Sequence, residues 1–341
     1  MIPAVDRLPR VRLGFYPTPL TEAEHLSSTL GGPRILIKRE DLSGLALGGN
    51  KCRKLEFIFG KLKDQGVNAV ITTAGSQSNW CMQIAAAARK LGMKPSLVLI
   101  KGRYNETTQG NLLLDNILGA DVEILETSDM HEVWVEGGIV SKAWDRITDD
   151  LRAKGYKPAT ISGPGEVLGH VGWVPAAEEL MAQLKDLNIE APYVVFSVGG
   201  GGTMAGFLLG SKYLGAGFKV IGNTVLMSKD AAVASIIEDV DAASDFLGLS
   251  VKVTPDEFEI NDAYVGEGYG VPTREGLDAI RLVAETEGIF LDPVYTAKGM
   301  AGLIDLIKKG RFKPTDTIIF MHTGGVPALF AYNEEIAQSS T

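Results

Sequence analysis

The sequence predicts an α/β protein with a two-domain, open twisted-sheet architecture. Apolar β-branched runs alternate with helical patterns along most of its 341 residues. Glycine clusters also follow several of the predicted strands, at the places where backbone must turn sharply or lie against a ligand. That length is comfortable for two lobes around a shared cleft. The net charge of −9, with no Lys/Arg-rich run, argues against a nucleic-acid or anionic-membrane partner. No apolar run is long enough for a transmembrane helix. The first residues, Met1 to Gly14, carry Pro, Asp and Arg in place of an apolar signal core, so a cytoplasmic location is expected. Two cysteines, Cys52 and Cys81, are too few for a disulfide framework and read as small buried hydrophobes.

In chain order, Ala69–Thr73 reads as a buried strand and Met82–Leu91 as the helix after it. Ser96–Ile100 is a second strand, Asn111–Leu118 a helix and Val122–Leu125 a third strand. Strand–helix alternation at this spacing implies parallel strands joined by crossover helices. After Gly163-Pro164-Gly165 the pattern resumes. Val194–Val198, Lys219–Val225 and Thr317–Met321 read as strands of a second sheet, with a helix from Thr203. Ligand chemistry then belongs in the crevice outside strand C-termini.

Three segments carry the chemistry. In Leu47-Gly48-Gly49-Asn50-Lys51, two glycines and an Asn set a tight turn before a helix. A lysine in a first helical turn is opposed by the dipole, which lowers the pKa of its amine, and only the neutral amine attacks an aldehyde. Taken alone, this motif also fits a solvated surface lysine. The second segment, Thr73 to Trp80, puts Ser76, Gln77, Ser78 and Asn79 at a helix start. Capping needs only one such residue, so a carboxylate site is a second reading of the cluster. In the third, Ser197-Val198-Gly199-Gly200-Gly201-Gly202-Thr203, strand, glycine loop and helix have the layout of a phosphate cradle. Gly200, Gly202 and Ala205 also satisfy a dinucleotide pattern, so an NAD-dependent oxidoreductase is an alternative. That reading needs an acidic residue at the end of the next strand, and Gly222 to Ser228 has none. A non-catalytic small-molecule binding protein is a third reading.

Two phenols, Tyr269 in Gly266–Gly270 and Tyr295 beside the Asp292-Pro293 turn, and a C-terminal His322-Thr323-Gly324-Gly325 complete the set. His25, His131 and His170 share no metal-ligand spacing with His322, so no metal site is expected.

Taken in order, from Pro17-Thr18-Pro19-Leu20 through Ile37-Lys38-Arg39-Glu40-Asp41 to His322–Gly325, these segments resemble the fold-type II pyridoxal 5′-phosphate (PLP) enzymes, whose architecture is tryptophan synthase β-like. Within that group the likeness is to the 1-aminocyclopropane-1-carboxylate (ACC) deaminase/D-cysteine desulfhydrase family. The resemblance implies that Lys51 is the Schiff-base lysine with Asn50 beside it in the cofactor turn. Lys54, Gly199, Gly200, Gly201, Gly202 and Thr203 would hold the phosphate. Asn79 would approach the cofactor ring oxygen, with Ser78 and Gln77 at the substrate carboxylate. Tyr269 and Tyr295 match the family's two active-site tyrosines. The resemblance also implies a small domain, residues 52–160, inserted in a large one made of 1–51 and 161–341, and a homodimer.

In this family ACC-ring opening goes with Glu directly after the second tyrosine and Leu after the C-terminal His; this chain has Thr296 and Thr323 there. A hydroxyl near the pyridine nitrogen keeps it neutral, and the weaker electron sink still suffices for α,β-elimination of a good leaving group. The expected substrate is thus a small cysteine-type amino acid: D-cysteine, giving pyruvate, ammonia and sulfide, or L-cysteate, giving sulfite. ACC deamination is the alternative. Trp80-Cys81 and Gly163-Pro164-Gly165-Glu166 depart from the family pattern and are expected to face the cleft, with Trp80 and Thr296 at the substrate.

Overall fold

The computed structural model describes residues 2–102, 108–127, 133, 135–163, 165–190 and 192–338. Met1, His131 and Pro164, which figure in the sequence reading, lie outside these described residues. Among the described residues, ten strands, numbered in chain order, form two sheets. They are β1 Leu20–Glu22, β2 Arg34–Arg39, β3 Ala69–Gly75, β4 Lys94–Ile100, β5 Asp121–Leu125, β6 Pro158–Ile161, β7 Tyr193–Val198, β8 Lys219–Thr224, β9 Phe258–Asn261 and β10 Thr317–His322. The larger sheet has the order β1-β2-β10-β7-β8-β9 and the smaller β5-β4-β3-β6. Every pairing is parallel except β1 with β2.

The strands expected from apolar runs fall within these elements, except that the one expected over Lys219–Val225 ends a residue earlier, at Thr224. The helix expected over Met82–Leu91 starts earlier, at Asn79, because the Ser78 hydroxyl caps it by accepting from the N–H groups of Trp80 and Cys81 at 3.1 and 3.2 Å. Four strands gave no clear signal. β2 carries the wholly buried Lys38 in mid-sheet, β6 begins at a proline, and β1 and β9 are short strands at the two edges.

A buried ion cluster makes the internal lysine of β2 tolerable. Lys38 Nζ donates to Glu179 (2.5 Å), Gln183 (2.7 Å) and the Thr18 carbonyl (2.7 Å). Arg53 bridges Glu40 (2.8 Å) and Glu179 (2.9 Å). Arg53 lies on the Lys51–Asp64 helix, so the cluster ties the helix that bears Lys51 to β2 and to the Val174–Asp186 helix. Deleting one member of such a cluster strands a buried charge, at a cost of about 3–5 kcal/mol.

One apolar cluster includes Phe57 and Ile58 of the Lys51 helix, Val70 and Leu97 of the smaller sheet, and Trp173, Val194 and Phe196 beside or within the larger one. We propose the domain division expected from sequence, with the Lys51–Asp64 helix packed into a core common to both lobes.

Candidate active site

A cavity of about 360 Å³ opens where β3, β7 and β10 end, and residues following all three strands form its wall. This is the crevice position that open α/β sheets favour for ligands.

Lys51 is the first residue of its helix. The turn before it demands glycine: Gly48 and Gly49 have φ of +73° and +125°, and a Cβ on Gly48 would overlap the Asp41 carbonyl. Lys51 Nζ donates to Asn50 Oδ1 at 3.1 Å and stands 5.9 Å from the centroid of the Tyr295 ring. Burial pulls its pKa down to about 8, against the opposing charge of Asp292. At pH 7.5 roughly a quarter of such amines are neutral, against about one in a thousand at the ordinary lysine value. Asn50 also locks the turn: its amide nitrogen donates to the Thr203 hydroxyl at 2.9 Å, and its backbone N–H to the Thr323 carbonyl at 3.0 Å.

Opposite Lys51, the loop Gly199–Gly202 enters the Gly202–Leu214 helix through Gly201 at φ +87°. Beneath the loop sit Lys54, His170 and Asp239, the last two missed in the sequence reading because they lie far away along the chain. A Cβ on Gly202 would stand 2.5 Å from His170 Cε1 and 3.1 Å from Lys54 Nζ, so the loop closes directly on this cluster. His170 Nδ1 is 3.3 Å from Asp239 Oδ2. Burial, and then the neighbouring Lys51 charge, lower Lys54 to about 7; burial raises Asp239 to about 7 and, with Lys54, depresses His170 to about 4. A helix N-terminus, the buried Lys54 amine and the buried His170 imidazole fit a phosphate group.

On the third side, Ser78 accepts twice from its own helix, so its O–H is left to donate. Asn79 Oδ1 accepts from Asn111 Nδ2 at 2.7 Å. Tyr269 and Tyr295 join their hydroxyls in a hydrogen bond, with ring centroids 5.9 Å apart at 68°. Burial raises both phenols, so each keeps its proton at neutral pH. The Tyr269 loop turns at Gly266, Gly268 and Gly270, all at positive φ. It is held by Lys298, which donates to the Val265 and Gly268 carbonyls at 2.7 and 3.0 Å.

Asn50, Lys51, Lys54, Ser78, Asn79, Trp80, Gly199 to Thr203, Tyr269, Tyr295 and Thr323 all line the cavity. One expectation needs correction. Thr296 is wholly buried beneath the wall, because its hydroxyl and backbone N–H both donate to Asp292 Oδ1 at 2.7 Å. Gln77 lines an adjoining cavity with Ser78, Asn79, Tyr269 and Tyr295, and its amide donates to the Gln109 carbonyl and accepts from the Asn111 N–H, at 3.1 and 2.9 Å. Trp80 reaches the wall, but its indole N–H is committed to the Thr72 hydroxyl at 3.1 Å. Asp292 was read only as part of a proline turn. Its carboxylate accepts from Val294, Tyr295 and Thr296, and so fixes the backbone that carries Tyr295. Gly163 and Gly165 line the cavity as expected. Among the described residues, no group of three His, Cys, Asp or Glu is placed to hold a metal.

Residues 11–324 match the family model described as "Pyridoxal-phosphate dependent enzyme". The chain is therefore a PLP-dependent enzyme, and the NAD and non-catalytic readings fall. The chain is 37% identical to a protein named "Putative 1-aminocyclopropane-1-carboxylate deaminase" from Pyrococcus abyssi, over 99% of each chain. It is 38% identical to a "D-cysteine desulfhydrase" from Klebsiella pneumoniae, over 97% of this chain and 98% of that one. A solved structure described as the ACC deaminase homologue superposes with a TM-score of 0.87 at 34% identity, over 99% of this chain and 98% of that one. The chain belongs to the ACC deaminase/D-cysteine desulfhydrase family of fold-type II PLP enzymes.

Proposed function

We propose that the protein is a carbon–sulfur lyase that carries out α,β-elimination on a cysteine-type amino acid, D-cysteine first, giving pyruvate, ammonia and sulfide. One observation carries this reading: among the described residues, no Asp or Glu lines the cavity. Asp292, beneath the wall, spends its oxygens on its own turn. A hydroxyl, Thr323, stands where ACC-opening relatives would present an apolar side chain. The cofactor, when bound, supplies the electron sink for the Cα–H bond.

The side chains divide the remaining work. The Ser78 hydroxyl and the start of the Asn79–Lys90 helix bind the substrate carboxylate. Lys51 Nζ, poised near neutrality, takes the α-proton, and Tyr295 Oη delivers a proton to the departing sulfur. Water completes the balance: D-cysteine plus water gives pyruvate, ammonia and hydrogen sulfide.

Sulfide is favoured over sulfite because no Arg or His among the described residues lines the cavity to receive a sulfonate. L-cysteate nevertheless belongs among the substrates to be tried. ACC deamination is the second reading, supported by relatives that carry that name. A cytoplasmic homodimer is part of the same proposal; the dimer rests on the family resemblance, and sedimentation of the purified enzyme checks it. Among the described residues, no helix is long and apolar enough to cross a membrane.

The test is release of 2-oxo acid and ammonia from D-cysteine, L-cysteine, L-cysteate, β-chloro-D-alanine and ACC. Turnover of D-cysteine and β-chloro-D-alanine is expected. Turnover of ACC alone refutes the elimination reading.

A further inference from the structure

Asn111 lies on the Gly110–Ile117 helix, outside the cavity wall and wholly buried. It nevertheless makes three contacts with the turn that carries the substrate- and cofactor-facing residues. Its backbone N–H donates to Gln77 Oε1 at 2.9 Å. Its side-chain Nδ2 donates to the Gln77 carbonyl at 2.9 Å and to Asn79 Oδ1 at 2.7 Å.

The identity of these atoms follows from hydrogen-bond logic. A backbone carbonyl can only accept, so the Asn111 atom facing Gln77 O must be the amide nitrogen. The same nitrogen faces Asn79, whose near atom must then be its oxygen. The amide of Asn79 is thereby fixed with its NH2 directed away from Asn111. That NH2 lies against Gly325, where an added Cβ would come within 2.9 Å of Asn79 Nδ2 and also of Asp292 Cγ. Gly325 has φ +99°, so the backbone there both requires glycine and leaves the amide its space.

We propose that Asn111 is a positioning residue that holds the Asn79 amide in its donor orientation, toward the ionised ring oxygen of the cofactor. The proposal rests on the assignment of Asn79 to that oxygen and is independent of which substrate is used. Without Asn111, the Asn79 amide is free to rotate. In its flipped orientation a carbonyl would face an anionic oxygen, and the donor bond would be replaced by repulsion.

The test is a double-mutant cycle on the affinity of the full-length, cofactor-stripped protein for PLP, with Asn111→Ala and Asn79→Ala. Asn111→Ala is expected to raise Kd about 10-fold to 100-fold, the weight of one hydrogen bond to a charged group. In the Asn79→Ala background the same change is expected to have almost no further effect. Asn111→Asp, whose carboxylate can only accept and so draws the Asn79 NH2 to itself, should weaken PLP at least as much as Asn111→Ala, lose that effect in the Asn79→Ala background, and provide the cycle if the alanine variant folds poorly. The visible band of the holoenzyme should shift in both Asn111 variants. An unchanged Kd overturns the proposal. So does an Asn111 effect of equal size with and without the Asn79 amide, which would mark a merely structural role. Failure on every sulfur substrate would refute the proposed function and leave this cycle untouched.

Discussion

Replacing Tyr295 by Phe removes one oxygen and its proton from the cavity wall. Tyr295 sits over Lys51, shares a hydrogen bond with Tyr269, and is kept protonated by burial. If its proton goes to the departing sulfur, the loss is that of a general acid, about 10²- to 10⁴-fold in rate, or about 3–5 kcal/mol of transition-state stabilisation. That loss should depend on the leaving group. Sulfide leaves poorly without a proton, whereas chloride needs none. Tyr295→Phe should therefore lower kcat on D-cysteine by at least about 100-fold and on β-chloro-D-alanine by less than about 10-fold. The assay is steady-state pyruvate release from both substrates, with wild type and variant at one pH. Equal losses on the two substrates would mean that the phenol only shapes the site, and no loss on either would remove it from the mechanism.

Other perturbations separate scaffold from chemistry. Arg53→Met should cost about 3–5 kcal/mol by stranding Glu40, which is wholly buried, and should lower the thermal midpoint by roughly 10 °C in a scanning calorimeter. Thr296→Val should destabilise the fold by about 1–3 kcal/mol, because the hydroxyl held by Asp292 is lost, yet leave the ratio of D-cysteine to β-chloro-D-alanine turnover unchanged. A changed ratio would return Thr296 to the substrate. The depressed Lys51 pKa also fixes a pH dependence. Only the neutral amine reacts, so attachment of PLP to the stripped enzyme, followed by stopped-flow absorbance, should accelerate nearly tenfold per pH unit up to about pH 8 and then level off. A rate still rising tenfold per unit at pH 9.5 would show that burial does not tune this lysine.

The strands most easily read from sequence were those buried on both faces. Val194–Val198 and Thr317–Met321 are apolar runs broken only by Ser197 and Thr317, with no helical period. β2 was hidden because its central Lys38 is paid for by Glu179, Gln183 and a carbonyl, all distant along the chain. The residues that line the cavity were legible where they share a local turn, as at Asn50–Lys51, Ser78–Asn79 and Gly199–Thr203. It was illegible where function depends on tertiary contact. His170 and Asp239 come from two different helices and meet only beneath the glycine loop. Thr296 shows the converse error: its neighbour Tyr295 is in the wall, but the first turn of a helix aims adjacent side chains in different directions, and Asp292 captures the threonine.

The central assignment is Lys51 as the residue that holds the cofactor covalently. Borohydride reduction of the holoenzyme, followed by proteolysis and peptide mass spectrometry, locates that bond directly. A pyridoxyl mass added to the peptide containing Lys51, and absent from the Lys51→Ala protein, is the predicted result. The adduct on Lys54 or elsewhere, or its persistence in Lys51→Ala, would contradict the assignment.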